Sequence, residues 1–208
     1  MTRLPIAVEG WPFILPGLAL AGLFALLQWR AAAGCALGLT LFVTWFFRDP
    51  DRSIPSDPET LVSPADGRVI EILPGNDGGT RISIFLSIFN VHVNRTPVAG
   101  EVVEVSRRPG KFLAAWKSEA SSDNAQASVT VRTPRGDVRF VQITGLIARR
   151  IVCHLTPGAR VGRGDRYGLI RFGSRVDLYL PAAAEPTVRV GDRVRGGASV
   201  IARWRLAT

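Results

Sequence analysis

Gly173-Ser174 is the pair in this chain whose residue types best suit covalent chemistry. It lies in Ile170-Arg171-Phe172-Gly173-Ser174-Arg175-Val176-Asp177-Leu178-Tyr179-Leu180-Pro181, whose apolar residues alternate on either side of the pair and read as strand. Glycine weakens a strand, and neither residue packs well in one. One reaction does use the pair. A serine hydroxyl can attack the carbonyl of the preceding residue, and a glycine leaves that carbonyl open. The peptide becomes an ester, β-elimination cuts the chain, and hydrolysis of the dehydroalanine leaves a pyruvoyl group at a new N-terminus. The plain alternative is a strand bulge with glycine at the bend.

Two further residues could assist that reaction. In Val91-His92-Val93-Asn94, alternation puts His92 and Asn94 on the face opposite the valines. An imidazole titrating at about 6.5 can take a serine proton near neutrality. Asp66, in Pro64-Ala65-Asp66-Gly67, could stand behind the imidazole and fix its tautomer. Each has a structural reading too: His92 as a half-buried strand residue, Asp66 as a turn residue bonding its own backbone.

The run around Gly173-Ser174 resembles the processing site of phosphatidylserine decarboxylase proenzymes of the short-form branch. Phe47-Arg48-Asp49-Pro50, Ser63-Pro64-Ala65-Asp66-Gly67 and Phe89-Asn90-Val91-His92-Val93-Asn94-Arg95-Thr96-Pro97 are similar to that family's other signature segments, in the family's order. Over about Trp45 to Pro181 the chain is identified as a member. The resemblance implies self-cleavage into a β chain (1–173) and an α chain (174–208). It implies that Asp66 orients His92, that His92 deprotonates Ser174, and that Ser174 attacks the Gly173 carbonyl. The pyruvoyl group made from Ser174 would then form a Schiff base with phosphatidylserine, release carbon dioxide and yield phosphatidylethanolamine. Neither pyridoxal phosphate nor a metal is expected. Arg95 is the expected cation for the lipid phosphate, with Asn94 beside it as a substrate ligand. Long-form enzymes carry a second histidine where this chain has Arg95, so His92 must serve any imidazole role in that segment. His154 reads as structural.

These residues need elements to hold them. Trp11 to Phe47 contains a single charge, Arg30, and its two apolar stretches are near the length that crosses a bilayer. Two crossings and a shallow helical hairpin both fit, with Trp11, Trp29 and Trp45 near the ends, where indole prefers the interface. A cleaved signal peptide, with Arg3 as its basic start, and a lipoprotein site at Cys35 fit less well. The chain after either cut runs into a second apolar stretch. Positive charge after Phe47 puts the remainder on the cytoplasmic side of the cell membrane.

Residues 48–60 read as a linker and 61–208 as the decarboxylase domain. Short β-rich segments predominate, at Gly67–Leu73, Thr80–Leu86, Gly100–Arg107, Ala127–Thr133, Asp137–Ile143, Gly168–Phe172, Val176–Leu180 and Ser199–Arg205. The stretch Gly145 to Cys153 fits a short helix or a strand. Gly67-Arg68-Val69-Ile70-Glu71-Ile72 recurs 33 residues later as Gly100-Glu101-Val102-Val103-Glu104-Val105, and Gly158-Ala159-Arg160-Val161 recurs 33 later as Gly191-Asp192-Arg193-Val194. The expected fold is therefore mainly β (α+β): pseudo-repeated halves like the barrel-sandwich hybrid of lipoyl carriers, behind a hydrophobic hairpin.

A non-catalytic membrane-tethered adaptor of that fold is the rival reading, as is a pyruvoyl enzyme acting on a related serine lipid. A true carrier would need a lysine at the hairpin tip, where the chain has Arg160, Arg163, Arg193 and Arg195. The net charge of +9 is almost wholly arginine and suits an acidic membrane surface. No basic block or nucleic-acid-binding motif accompanies it, so nucleic acid is excluded as a partner. The expected partners are membrane phosphatidylserine and the α chain held by the β chain, with room for a homo-oligomer. Two cysteines in unlike segments argue against a disulfide framework.

Overall fold

A computed structural model of the protein describes residues 4–75, 78–146, 150–171 and 173–205. Expectations that fall on Arg3, Ile147 and Phe172 lie outside them. The chain divides into two compact units, Met1–Asp51 and Arg52–Thr208.

The first unit is a helical hairpin of α1 (Trp11–Leu26) and α2 (Arg30–Phe46). The turn between them is closed by Gln28 at a φ of 59°. At Gly17 the helices approach so closely that a Cβ would stand within 3.2–3.3 Å of the Thr40 carbons and closer still to its hydroxyl. A small residue facing another helix is how apolar helices pack when no water drives them together. The outer surface of α1 presents Phe13, Leu15, Leu18, Leu20 and Leu23. One helical stretch, Val8–Leu26, is long and apolar enough to cross a membrane, and Arg30–Phe46 is shorter.

The second unit is mostly β. In chain order its elements are β1 (Thr60–Val62), β2 (Gly67–Pro74), β3 (Thr80–Leu86), β4 (Val93–Arg95), β5 (Gly100–Arg108) and the one-turn helix α3 (Ala120–Asp123). There follow β6 (Gln126–Thr133), β7 (Gly136–Ile143), β8 (Ile151–Cys153), β9 (Arg160–Val161), β10 (Arg166–Ile170) and β11 (Ser174–Leu180). Last come β12 (Ala184–Pro186), β13 (Arg193–Val194) and β14 (Val200–Trp204). Eight strands form one sheet in the order β13-β2-β3-β11-β7-β6-β5-β9, and two three-stranded sheets read β1-β14-β12 and β4-β10-β8. The core is apolar and mostly aliphatic, with Val69, Ile84, Val102, Val176 and Leu178 buried beside the Phe140 ring.

The mainly β fold behind an N-terminal helical region agrees with the sequence. The internal repeat is visible as backbone structure. β2 pairs with β13, and 33 residues on β5 pairs with β9. Both β2 and β5 carry a register shift two residues after the initial pairing, at Val69/Glu71 and Val102/Glu104. The same bonds tie each turn: Gly191 N–H to the Val69 carbonyl (2.8 Å), and Gly158 N–H to the Val102 carbonyl (2.7 Å). The two small sheets correspond strand for strand at nearly the same interval. What breaks the symmetry is β10, which runs on through 171–173 into β11.

Candidate active site

β10 belongs to a small sheet and β11 to the large one, so the chain must turn sharply between Ile170 and Ser174. The Gly-Ser pair is thus the start of β11 and not the middle of one strand. Gly173 makes the turn at a φ of +67°, a left-handed conformation that costs a side-chain-bearing residue about 1–2 kcal/mol. A Cβ placed there would meet nothing within 4 Å. Backbone conformation, not crowding, is therefore what calls for glycine before the serine. The crowding is at Gly145, which sequence reasoning missed. A Cβ on Gly145 would lie 3.2 Å from the Gly173 carbonyl carbon and from the Ala115 methyl, and closer still to the Gly173 oxygen. Without a side chain, the Gly145 backbone packs directly on the Gly173 carbonyl.

Ser174 is fully buried, and its Oγ has no hydrogen-bond partner among the described residues. Its strand neighbour on the same face, Val176, is paired with Gln142 of β7, which makes Gln142 a diagonal neighbour of Ser174. Gln142 Nε2 donates to Asn94 Oδ1 at 2.8 Å. Gln142 Oε1 and Asn94 Nδ2 are then left without partners among the described residues. Buried polar groups are nearly always satisfied, and leaving one unmet costs about 1–3 kcal/mol. Three such atoms close together mark a place kept for polar chemistry. Gln142 was missed in the sequence, where the signal was one amide inside the apolar run Phe140-Val141-Gln142-Ile143.

His92 immediately precedes β4, which pairs with β10, so its connection and the 171–173 connection leave the sheets side by side. The imidazole is buried, and its Nδ1 lies 3.0 Å from the Asn90 carbonyl oxygen. A carbonyl only accepts, so Nδ1 carries the proton and Nε2 is the basic nitrogen. The Asn90 turn is itself pinned, its Oδ1 accepting from Ser87 N–H (2.9 Å) and Ser87 Oγ (2.8 Å).

The carboxylate expected behind the imidazole has its described bonds elsewhere. Asp66 accepts from Arg52 Nη2 at 2.9 Å and from the Gly196 N–H at 2.7 Å. Arg95 is likewise an inward residue: it is 5% exposed, and its Nη1 donates to the Gly164 carbonyl at 3.0 Å. His154 is solvent-exposed, and its N–H donates to the Tyr167 carbonyl (2.8 Å). Cys35 and Cys153 are both free, and burial pushes the Cys153 thiol pKa up. Among the described residues no group of three or more His, Cys, Asp or Glu gathers to hold a metal.

On the opposite face of β11, Arg175 and Asp177 form a fully buried ion pair (Nε to Oδ1, 2.6 Å). Arg175 Nη2 also donates to Glu71 Oε2 (2.9 Å) and Ser83 Oγ (2.6 Å). Burial alone would raise the Glu71 pKa, but the hydrogen bond and charge of Arg175, with the charge of Arg81, bring it below its ordinary 4.5. The segment 109–125 covers this network. Ser121 Oγ donates to Asp177 Oδ2 at 2.6 Å, and Arg175 Nη1 donates to the Lys117 carbonyl. Trp116 stands edge-on to Phe85 with ring centroids 5.9 Å apart. The segment therefore lies over the outer face of β11, while Ala115 reaches Gly145 beside the Gly173 carbonyl.

A family model described as phosphatidylserine decarboxylase matches residues 39–202. The chain belongs to the phosphatidylserine decarboxylase family. A phosphatidylserine decarboxylase proenzyme of Symbiobacterium thermophilum is 50% identical, covering 98% of this chain and 97% of its own. Proteins of the same name from Geobacter sulfurreducens (46%; 95% of each chain) and Pelobacter propionicus (45%; 96% of each chain) are similar over nearly the same span. Family membership covers Asp66, His92, Asn94, Gln142, Gly145 and the Gly173-Ser174 bond in one matched stretch.

Proposed function

We propose that the chain is the precursor of a pyruvoyl-dependent phosphatidylserine decarboxylase, converting phosphatidylserine to phosphatidylethanolamine and carbon dioxide. The observation that carries the reading is Ser174: a buried hydroxyl with no partner among the described residues, directly after a left-handed glycine whose carbonyl rests on Gly145. The adaptor reading would leave that arrangement without a use.

In the maturation step His92 Nε2 takes the Ser174 proton and Oγ bonds to the Gly173 carbonyl carbon. The Ser174 nitrogen leaves with a proton, giving an ester with a free amine. Loss of the Ser174 α-proton then expels the Gly173 carboxylate and leaves dehydroalanine. Water hydrolyses its imine tautomer, releasing ammonia and leaving a pyruvoyl group at residue 174. Such a group supplies an electrophilic carbonyl and an electron sink for decarboxylation of an amino acid. The site suits it: Oγ leaves with the Gly173 carboxylate, and the ketone, made from the Ser174 Cα with its methyl from Cβ, would stand at the strand position diagonal to Gln142, whose Oε1, like Asn94 Nδ2, has no partner among the described residues.

The Asn90 carbonyl holds the His92 tautomer, and Asp66 fixes Arg52 and the Gly196 loop at the mouth of the site. Asn94 stays a substrate ligand, now together with Gln142, and Arg95 is read as scaffold. The apolar hairpin would attach the enzyme to the cell membrane where its lipid resides, with the second unit on the cytoplasmic side. The α chain 174–208 would stay with the β chain through the pairing of β11 between β3 and β7.

Carboxyl-labelled phosphatidylserine tests the reading. Purified protein should consist of two chains divided at 173/174 and release labelled carbon dioxide in a hydroxylamine-sensitive way. Ser174→Ala should abolish both cleavage and release, and His92→Ala should accumulate the uncut chain. An uncut wild-type chain that still releases carbon dioxide would refute the mechanism.

A further inference from the structure

We propose that Arg68, Arg193 and Arg195 form an anion subsite that receives the phosphodiester of the aminophospholipid headgroup. The inference rests on the decarboxylase reading and names the part of the substrate that this cleft holds. The three arginines line a cavity of about 710 Å³ with Phe85, Phe89, Asn90 and Asp66, whose carboxylate accepts from Arg52 and the Gly196 N–H.

The fold's own pseudo-symmetry supplies the comparison. In the β5–β9 half, Glu101 is the cross-strand partner of Arg160, an ordinary opposite-charge pair. In the β2–β13 half the same two positions hold Arg68 and Arg193, like charges directly opposed. Such a pairing destabilises a sheet unless an anion lies between the two. Arg195 adds a third cation at the position where the other half has Gly162. Arg193 and Arg195 flank buried Val194, so both stand on the exposed face. None of the three has an acidic side chain as ion-pair partner among the described residues, and the described side-chain bond of Arg68 goes to the Gly191 carbonyl (3.1 Å). Where one half sets opposite charges across the strand pair, the other sets two cations.

Position supports the same ligand. Arg68 pairs with Phe85, and Phe85 pairs with Arg175, so Arg68 stands two strand spacings, about 10 Å, from β11 on the face away from Ser174, close to the ends of β2 and β3 where β11 begins. The cavity passes over the end of β3 at Ser87 and Asn90, the turn that holds His92. In phosphatidylserine only one methylene separates the phosphoester oxygen from the α-carbon that loses carbon dioxide. For a lipid clamped at the arginines, the amine and carboxylate would have to pass round the strand end at Ser87 and Asn90 to meet Ser174. The exposed Phe89 ring offers an apolar wall on the way.

The test uses the full chain as purified, with isothermal titration of sn-glycero-3-phosphoserine, inorganic phosphate and free serine, alongside decarboxylation in mixed micelles. Arg68→Glu recreates the pair that the other half already tolerates, so it should fold, self-cleave and melt no lower than wild type. It should weaken glycerophosphoserine binding by tenfold or more and raise KM for phosphatidylserine by a similar factor, with kcat changed less than threefold. Arg193→Ala/Arg195→Ala should act in the same direction. Unchanged binding and KM in both variants would overturn the subsite. Inorganic phosphate binding as tightly as the diester would overturn the headgroup assignment in favour of a free-phosphate site. Wild-type protein that binds glycerophosphoserine through these arginines yet releases no carbon dioxide would sink the decarboxylase reading and leave the anion site standing.

Discussion

Replacing Gly145 with alanine should slow the proposed self-cleavage more than replacing Gly173, the residue on the acyl side of the proposed scissile bond. The Gly145→Ala methyl would meet the Gly173 carbonyl carbon at 3.2 Å and lie nearer to its oxygen, inside the 3.0 Å that real Cβ contacts respect. The Ala115 methyl also stands at 3.2 Å, so the backbone at 145 has little room to shift. The carbonyl must yield by something near 1 Å, and a misplacement of that size costs about 100-fold in rate. Gly173→Ala adds a methyl into open space and forces only the left-handed φ, worth about 1–2 kcal/mol or about 10-fold. The assay is the time course of conversion of freshly synthesised chain into its two products, followed by intact mass. Each variant is also melted in the Ser174→Ala background, which stays whole, so that loss of fold is read separately from loss of rate. Gly145→Ala cleaving as fast as wild type, or more slowly than Gly173→Ala only by unfolding, would refute the reasoning.

Asp177→Ala takes away the fully buried one of Arg175's two carboxylate partners and leaves Glu71 as the other, so about 3 kcal/mol of stability should go. In a chain of this size that is a fall in Tm of about 6–12 °C, read by thermal melting of the Ser174→Ala precursor. Glu71 has a folded pKa below its unfolded one, so its contribution is whole above about pH 4.5 and fades as pH falls through the folded value; Glu71→Gln should lower stability near neutrality and flatten the acid limb of a denaturation curve. The apolar surface of α1 should keep the protein in the membrane pellet through a high-salt wash, because buried apolar area is not screened; release by salt alone would count against insertion.

What could be read in the sequence depended on near neighbours. The apolar helices, the β segments and the Gly-Ser pair each announce themselves within a dozen residues, because hydrophobic periodicity and turn chemistry are local. The 33-residue repeat went further and foretold a symmetry carried by matching turn bonds at Gly158 and Gly191. His92 stood out in the sequence as a candidate base, but the contact of its ring did not: the imidazole Nδ1 meets the Asn90 carbonyl, and a backbone atom has no sequence signature. Arg95 was a candidate phosphate ligand by residue type, and only the tertiary structure shows that it is buried and donates to the Gly164 carbonyl. Strand register alone set Arg68 against Arg193, brought Gln142 beside Ser174, and laid Gly145 on the carbonyl of Gly173. Those contacts join residues 28 to 125 positions apart, and only the paired sheet decides which backbone atoms meet across such distances.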